Sequence, residues 1–87
     1  MSANNYLPSD LVNAFGRGIR IVRLQRGLTL KQLQDQSFVG YMSISLVERG
    51  VQGLSLHSAL ALSQALGIPV DELVRIGLEE GGAKWQK

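Results

Sequence analysis

Apolar and polar residues follow one another along this chain with a helical period, in short segments that glycine, proline or polar residues separate. The first segment has four apolar residues at steps of four, four and three: Leu11, Phe15, Ile19 and Val22. This spacing places them on one face of a helix, predicted over residues 10–26. Ser9 is the predicted N-cap, after an N-terminal arm of residues 1–8. Gly16 and Gly18 are expected to weaken this helix by about 1 kcal/mol each if they are exposed.

Four shorter helices are predicted over residues 30–37, 41–49, 56–66 and from Pro69 to about residue 80. Thr29 and Gln32 match a capping box at the start of the second helix, because each side chain can bond the backbone N–H of the other residue. A break of three to four residues separates the second helix from the third, which is the spacing of a helix-turn-helix. The pattern therefore predicts one all-α, five-helix domain over residues 9–80, followed by a flexible C-terminal tail over 81–87.

Composition excludes several classes of protein. The 87 residues contain no cysteine, which excludes disulfides and thiolate metal sites. No apolar run approaches the ~20 residues that span a bilayer, and the polar N-terminus does not resemble a signal peptide, so a soluble cytoplasmic protein is expected. His57 is the only histidine, and no second ligand lies near it in sequence. We therefore expect no metal, no cofactor and no enzymatic activity.

Positive charge concentrates in the middle of the chain, although the net charge is only +2. Residues 16–50 carry six basic and two acidic side chains, or +4, whereas residues 51–87 carry three basic and four acidic ones, or −1. The basic segment could face nucleic-acid phosphates. A solvated helix face that happens to be basic explains the charge equally well.

Three segments carry a family resemblance: GIRIVRLQRGLTLKQL, SISLVERG and SLHSALALSQALGIPVDEL. Their ordered pattern resembles the lambda-repressor-like family, also called the Cro/C1 or Xre type, without gaps from Gly18 to Leu73. The resemblance implies a five-helix domain whose helix-turn-helix binds double-stranded DNA. It implies a sequence-specific transcriptional regulator, expected to be a repressor that binds operator DNA as a homodimer, with half-sites about one helical turn apart.

The resemblance also implies roles for matched positions. Arg23 and Glu48 match an ion pair that ties the first helix to the end of the recognition helix. Four residues of that helix are expected to face the bases: Tyr41, Met42, Ser43 and Leu46.

Phosphate contacts and the dimer interface are predicted from position in the helices. Lys31 is the first candidate for a phosphate contact, because it lies in the first turn of the second helix. Further candidates are Arg17, Arg20, Arg26 and Arg49. For each arginine, a solvated or intramolecular role is equally open. Dimerisation is expected to use the fifth helix and the tail: Ile76, Leu78 and Trp85.

Several residues depart from the family pattern. Leu30 stands where a glutamine often bonds a phosphate, and Leu54 replaces a common proline. Phe38 occupies the position of the turn glycine, whose positive φ it tolerates poorly, so a reshaped turn that uses Gly40 is expected.

A further departure concerns the recognition helix itself. Tyr41, Met42 and Leu46 cannot make the bidentate contacts that identify guanine or adenine. Together with Leu30 they are expected to form an exposed apolar surface, and such surfaces often bind proteins. This leaves an alternative open, in which the chain is a protein-interaction module of the same fold, such as an antitoxin or antirepressor with a regulatory protein partner.

Overall fold

The computed structural model describes residues 6–80, and within this part of the chain all regular secondary structure is helical. The five helices are α1 (Pro8–Gln25), α2 (Leu30–Ser37), α3 (Tyr41–Glu48), α4 (Leu56–Leu66) and α5 (Val70–Glu80). The predicted all-α, five-helix fold is confirmed, and α2 and α4 have the predicted bounds. The predicted tail 81–87, with Trp85, lies outside the described residues, as do residues 1–5 of the arm. None of the described helices is long and apolar enough to cross a membrane.

α1 begins earlier than the sequence pattern predicts. Its first residue is Pro8, and its N-cap is Leu7 rather than Ser9, so the predicted cap is wrong. Proline suits this position because the first helical N–H has no partner within the helix. The backbone N–H of Leu7 donates to the Asp10 carboxylate at 3.1 Å, which stabilises the new start. Residue 8, the predicted end of the arm, therefore lies inside the helix.

The core lies between all five helices and the α2–α3 turn. Nine buried apolar residues form it: Phe15, Ile19, Val22, Leu33, Val39, Ile44, Leu62, Leu66 and Leu73. α1 packs against α3, α4 and α5. Three of the four apolar residues that predicted α1 are buried, and Leu11 is half-buried. α2 in turn packs against α3 and α4.

Three glycines allow the helices to approach closely. An added Cβ at each would overlap a main-chain carbonyl oxygen: that of Val47 for Gly16, of Leu73 for Gly18 and of Ala14 for Gly77. Gly16 and Gly18 were expected to weaken α1 only if they were exposed. Both are buried, so that condition is not met. Their lack of a side chain instead lets α1 pack directly on α3 and α5.

Candidate nucleic-acid interface

α2 and α3 are joined by residues 38–40, which is the short connection of a helix-turn-helix. The predicted capping box at the start of α2 is confirmed. Thr29 Oγ1 accepts from the Gln32 N–H at 3.0 Å, and Gln32 Oε1 accepts from the Thr29 N–H at 2.8 Å. The cap satisfies amides that have no partner within the helix and fixes the end of α2 that carries Lys31.

Phe38 keeps the conformation of the turn glycine that it replaces. It follows the last residue of α2 in the left-handed region, at φ 63° and ψ 18°, and the residue is 92% exposed. Gly40 has φ −58°, so the expected reshaping of the turn at Gly40 is wrong. The turn is held by buried neighbours instead, because Ser37 Oγ accepts from the N–H of the buried Val39 at 3.1 Å. The fold therefore tolerates a conformation that costs a side-chain-bearing residue about 1–2 kcal/mol.

Gln34 holds the start of α3, a contact that the sequence pattern did not predict. Its Oε1 accepts from the backbone N–H of Tyr41 at 2.8 Å. The N-cap of α3 is Gly40, which offers no side chain for this purpose, so Gln34 supplies the missing acceptor from α2. The signal that could have revealed it is a long amide side chain in α2 combined with a glycine N-cap on α3.

A buried ion pair holds the other end of α3. Arg23 binds Glu48 through two bonds, from Nε to Oε2 at 2.8 Å and from Nη2 to Oε1 at 2.9 Å, and its Nη1 donates to the Leu28 carbonyl at 2.9 Å. Both residues are 7% exposed. The hydrogen bonds to Glu48 raise the pKa of Arg23 above its ordinary value, although burial acts in the opposite direction. The pair that the sequence predicted thus links α1 to the last residue of α3.

The outward face of α3 carries the predicted base-contact residues. Met42 is 64% exposed and Tyr41 is 47% exposed, whereas Ser43 and Leu46 are half-buried. We call Tyr41, Met42 and Leu46 the apolar recognition surface. Leu30 does not extend it as expected, because this residue is half-buried and packs against the core.

The predicted phosphate-contact residues differ in accessibility. Four of them are exposed: Arg20, Arg26, Lys31 and Arg49. Arg20 also lies 3.9 Å from Glu48, between Nη1 and Oε1, and Arg49 Nε donates to the Ser45 carbonyl at 3.4 Å. Arg17 is half-buried and interacts within the fold. The structure therefore leaves Lys31 and Arg26 as the candidates that a phosphate can reach most readily.

Comparison with known proteins identifies the family. The sequence profile described as helix-turn-helix matches residues 19–73, more than half of the chain. The chain belongs to the Cro/C1-type helix-turn-helix family. Its structure is similar to the crystal structure of the clp gene regulator ClgR from Corynebacterium glutamicum. The two are 31% identical, with a TM-score of 0.71, over 86% of this chain and 79% of that chain. A comparison with curated proteins gave no match.

Family membership indicates the general function of the helix-turn-helix formed by α2 and α3. A Cro/C1-type helix-turn-helix is a DNA-binding module of transcriptional regulators, in which the second helix of the motif reads the major groove. In this protein α2 is the first helix of the motif and α3 is the second. The matched segment contains both helices and both residues of the Arg23–Glu48 pair. Among residues 6–80, no group of three or more His, Asp or Glu side chains could hold a metal ion.

Proposed function

We propose that this helix-turn-helix protein is a transcriptional repressor that binds operator DNA as a homodimer and places α3 in the major groove. The observation that carries the proposal is the support of α3 at both ends. Gln34 accepts a hydrogen bond from Tyr41, the first residue of α3, and Arg23 donates to Glu48, the last residue of α3. A helix held in this way presents Tyr41 and Met42 at a fixed angle, which base reading requires. The proposal assigns the chain no catalytic activity.

Phosphates are proposed to bind at the start of α2. The capping box uses the backbone amides of Thr29 and Gln32, and the amides of Leu30 and Lys31 lie between them in the first turn, where α-helical N–H groups have no partner within the helix. Leu30 therefore lacks a phosphate-binding side chain but still offers a backbone donor. The exposed ammonium of Lys31 adds charge at the same helix end, where anions are favoured.

The proposed dimer brings two copies of α3 to half-sites about one helical turn apart. Ile76 and Leu78 of α5 are its proposed contacts in the described part of the chain, and Trp85 stays a prediction. Both residues are half-buried in the monomer, so each has apolar surface left for a partner copy. Ile76 also packs against the core, which makes Leu78 the better residue to change.

Sedimentation equilibrium with Leu78→Lys tests the dimer. The variant is expected to sediment as a monomer at concentrations where the unchanged protein is a dimer, because a buried lysine would lose its hydration without a partner. Glu80→Lys is the matched control, since it introduces the same side chain at an exposed position of α5. Equal association of both variants would show that the α5 contact is wrong.

Selection from a random duplex pool tests operator binding. The enriched sequence is expected to be a palindrome that the protein binds at about 10⁻⁸ M or tighter, with an affinity that falls steeply with salt. Absence of enrichment, with only weak and salt-sensitive binding to every duplex, would contradict sequence-specific recognition. Whether a bound promoter is repressed is then measured by transcription in vitro from a template that carries the selected site.

The apolar recognition surface favours a second candidate function. The exposed apolar side chains on α3, of which Met42 is the most exposed, could also bind a protein partner, as in an antitoxin or antirepressor. This candidate predicts negligible specific DNA binding and a partner complex that Met42→Glu disrupts. A charge at this exposed position is not expected to unfold the monomer, so circular dichroism separates lost binding from lost structure.

A further inference from the structure

The outward face of α3 contains no side chain that can make a bidentate contact with a base. Its outward residues are Tyr41, Met42, Ser43, Ser45 and Leu46. Bidentate recognition of guanine uses arginine or lysine, and that of adenine uses asparagine or glutamine. Hydrogen-bond reading from this face is therefore restricted to single hydroxyl contacts, which discriminate poorly between base pairs.

Apolar contact is the other means of reading that this face provides. Met42 and Leu46 lie one helical turn apart on the same side of α3, with Met42 well exposed and Tyr41 beside it. Among the four bases, only thymine presents an apolar group in the major groove, its C5-methyl. We propose that α3 specifies its operator by burying thymine methyl groups against Met42 and Leu46. This inference rests on the DNA binding proposed above.

Charge and rigidity support DNA as the partner of this apolar surface. Residues 16–50 carry a net charge of +4, and this charge complements a polyanion. Exposed Lys31 lies in the first turn of α2, and exposed Arg26 precedes that helix. The contacts at Gln34 and Glu48 fix the helix, while the unbranched thioether of Met42 can adapt to the shape of a methyl group.

Arg49 could contact guanine by residue type, but it is not placed on the part of α3 that reads bases. It is the C-cap of α3, and its Nε bonds back to the Ser45 carbonyl at 3.4 Å. The residues that read bases in this motif project from the outward face of the recognition helix, toward its N-terminus, whereas Arg49 lies beyond the last residue of α3. The position of Arg49 at the opposite end instead suits a phosphate contact.

Deoxyuridine substitution isolates the methyl group, because uracil pairs like thymine and lacks only the C5-methyl. After an operator has been selected, each thymine of a half-site is replaced singly and the dissociation constant is measured by fluorescence anisotropy at fixed salt. Loss of one buried methyl is expected to weaken binding roughly three- to fivefold. Thymines in the flanking sequence are expected to show no change.

Two protein variants show which side chain contacts the methyl. With Met42→Ala, binding of the thymine operator is expected to weaken, and the deoxyuridine penalty at the thymine that Met42 contacts is expected to disappear. Lys31→Ala is the matched control: it weakens binding to the thymine and deoxyuridine operators by the same factor, because a phosphate contact does not depend on the methyl. Both side chains are exposed, and thermal unfolding confirms that each variant is folded.

The outcomes separate this inference from the function on which it rests. Methyl reading is supported if replacing a thymine by deoxyuridine weakens binding and if Met42→Ala abolishes this difference in affinity. A selected operator whose deoxyuridine forms bind as tightly as the thymine form refutes methyl reading and leaves operator binding intact. Failure to enrich any sequence refutes both proposals.

Discussion

Replacement of Phe38 by glycine is expected to stabilise this protein. Phe38 has φ 63°, in the left-handed region, and the residue is 92% exposed. Release from this conformation is worth about 1–2 kcal/mol for a residue with a Cβ. Glycine loses about 0.5–1 kcal/mol through its greater freedom in the unfolded chain. Because little ring surface is buried, Phe38→Gly should raise the free energy of unfolding by about 0.5–1 kcal/mol.

Phe38→Ala provides the matched control. Alanine removes the ring as glycine does but keeps the Cβ, so it retains the backbone strain. Urea unfolding followed by circular dichroism is expected to place Phe38→Gly above Phe38→Ala by about 0.5–1 kcal/mol, which corresponds to a few degrees in Tm for a domain of this size. If glycine is no more stable than alanine at this position, then the turn is not strained and the reasoning from φ is wrong.

Three further substitutions test the packing and the interface. Arg23→Ala should lower the free energy of unfolding by about 3–5 kcal/mol, because it leaves the Glu48 carboxylate buried without its partner. In urea unfolding, the double variant with Glu48→Ala should lose less free energy of unfolding than the sum of the losses in the two single variants. Gly18→Ala should destabilise by about 1–3 kcal/mol, since its Cβ overlaps the Leu73 carbonyl; a gain in thermal stability would mean that α1 and α5 separate easily. Lys31→Ala should leave Tm unchanged and reduce the slope of log affinity against log salt by about 1; an unchanged slope would remove this residue from the phosphate contacts.

Local sequence signals determined the helices of this protein. The apolar spacing of Phe15 and Ile19 predicted α1, and the Thr29–Gln32 pattern predicted the start of α2, because helical period and capping act within a few residues. The sequence pattern also led to the family and to the Arg23–Glu48 pair, since each was carried by residues at fixed positions in an ordered motif.

Local sequence signals did not predict the start of α1, because two of them competed there. Ser9 is a good N-cap by residue type, yet the helix begins at Pro8, where Asp10 bonds the Leu7 amide instead. Residue type at a single position does not decide between two possible starts. Their relative energies also depend on how the first turn of α1 packs in the folded protein.

Tertiary structure alone decided how the helices meet. Gly16 and Gly18 resemble helix-weakening residues in the sequence but are the contact points of α1 with α3 and α5. Gln34 reaches across a turn to an amide seven residues later, and Phe38 stays in the left-handed region because the surrounding turn holds it there. The physical reason is the same in each case. The energy of these residues depends on atoms that are brought near only by folding, so no periodicity or propensity within their own segment reports it.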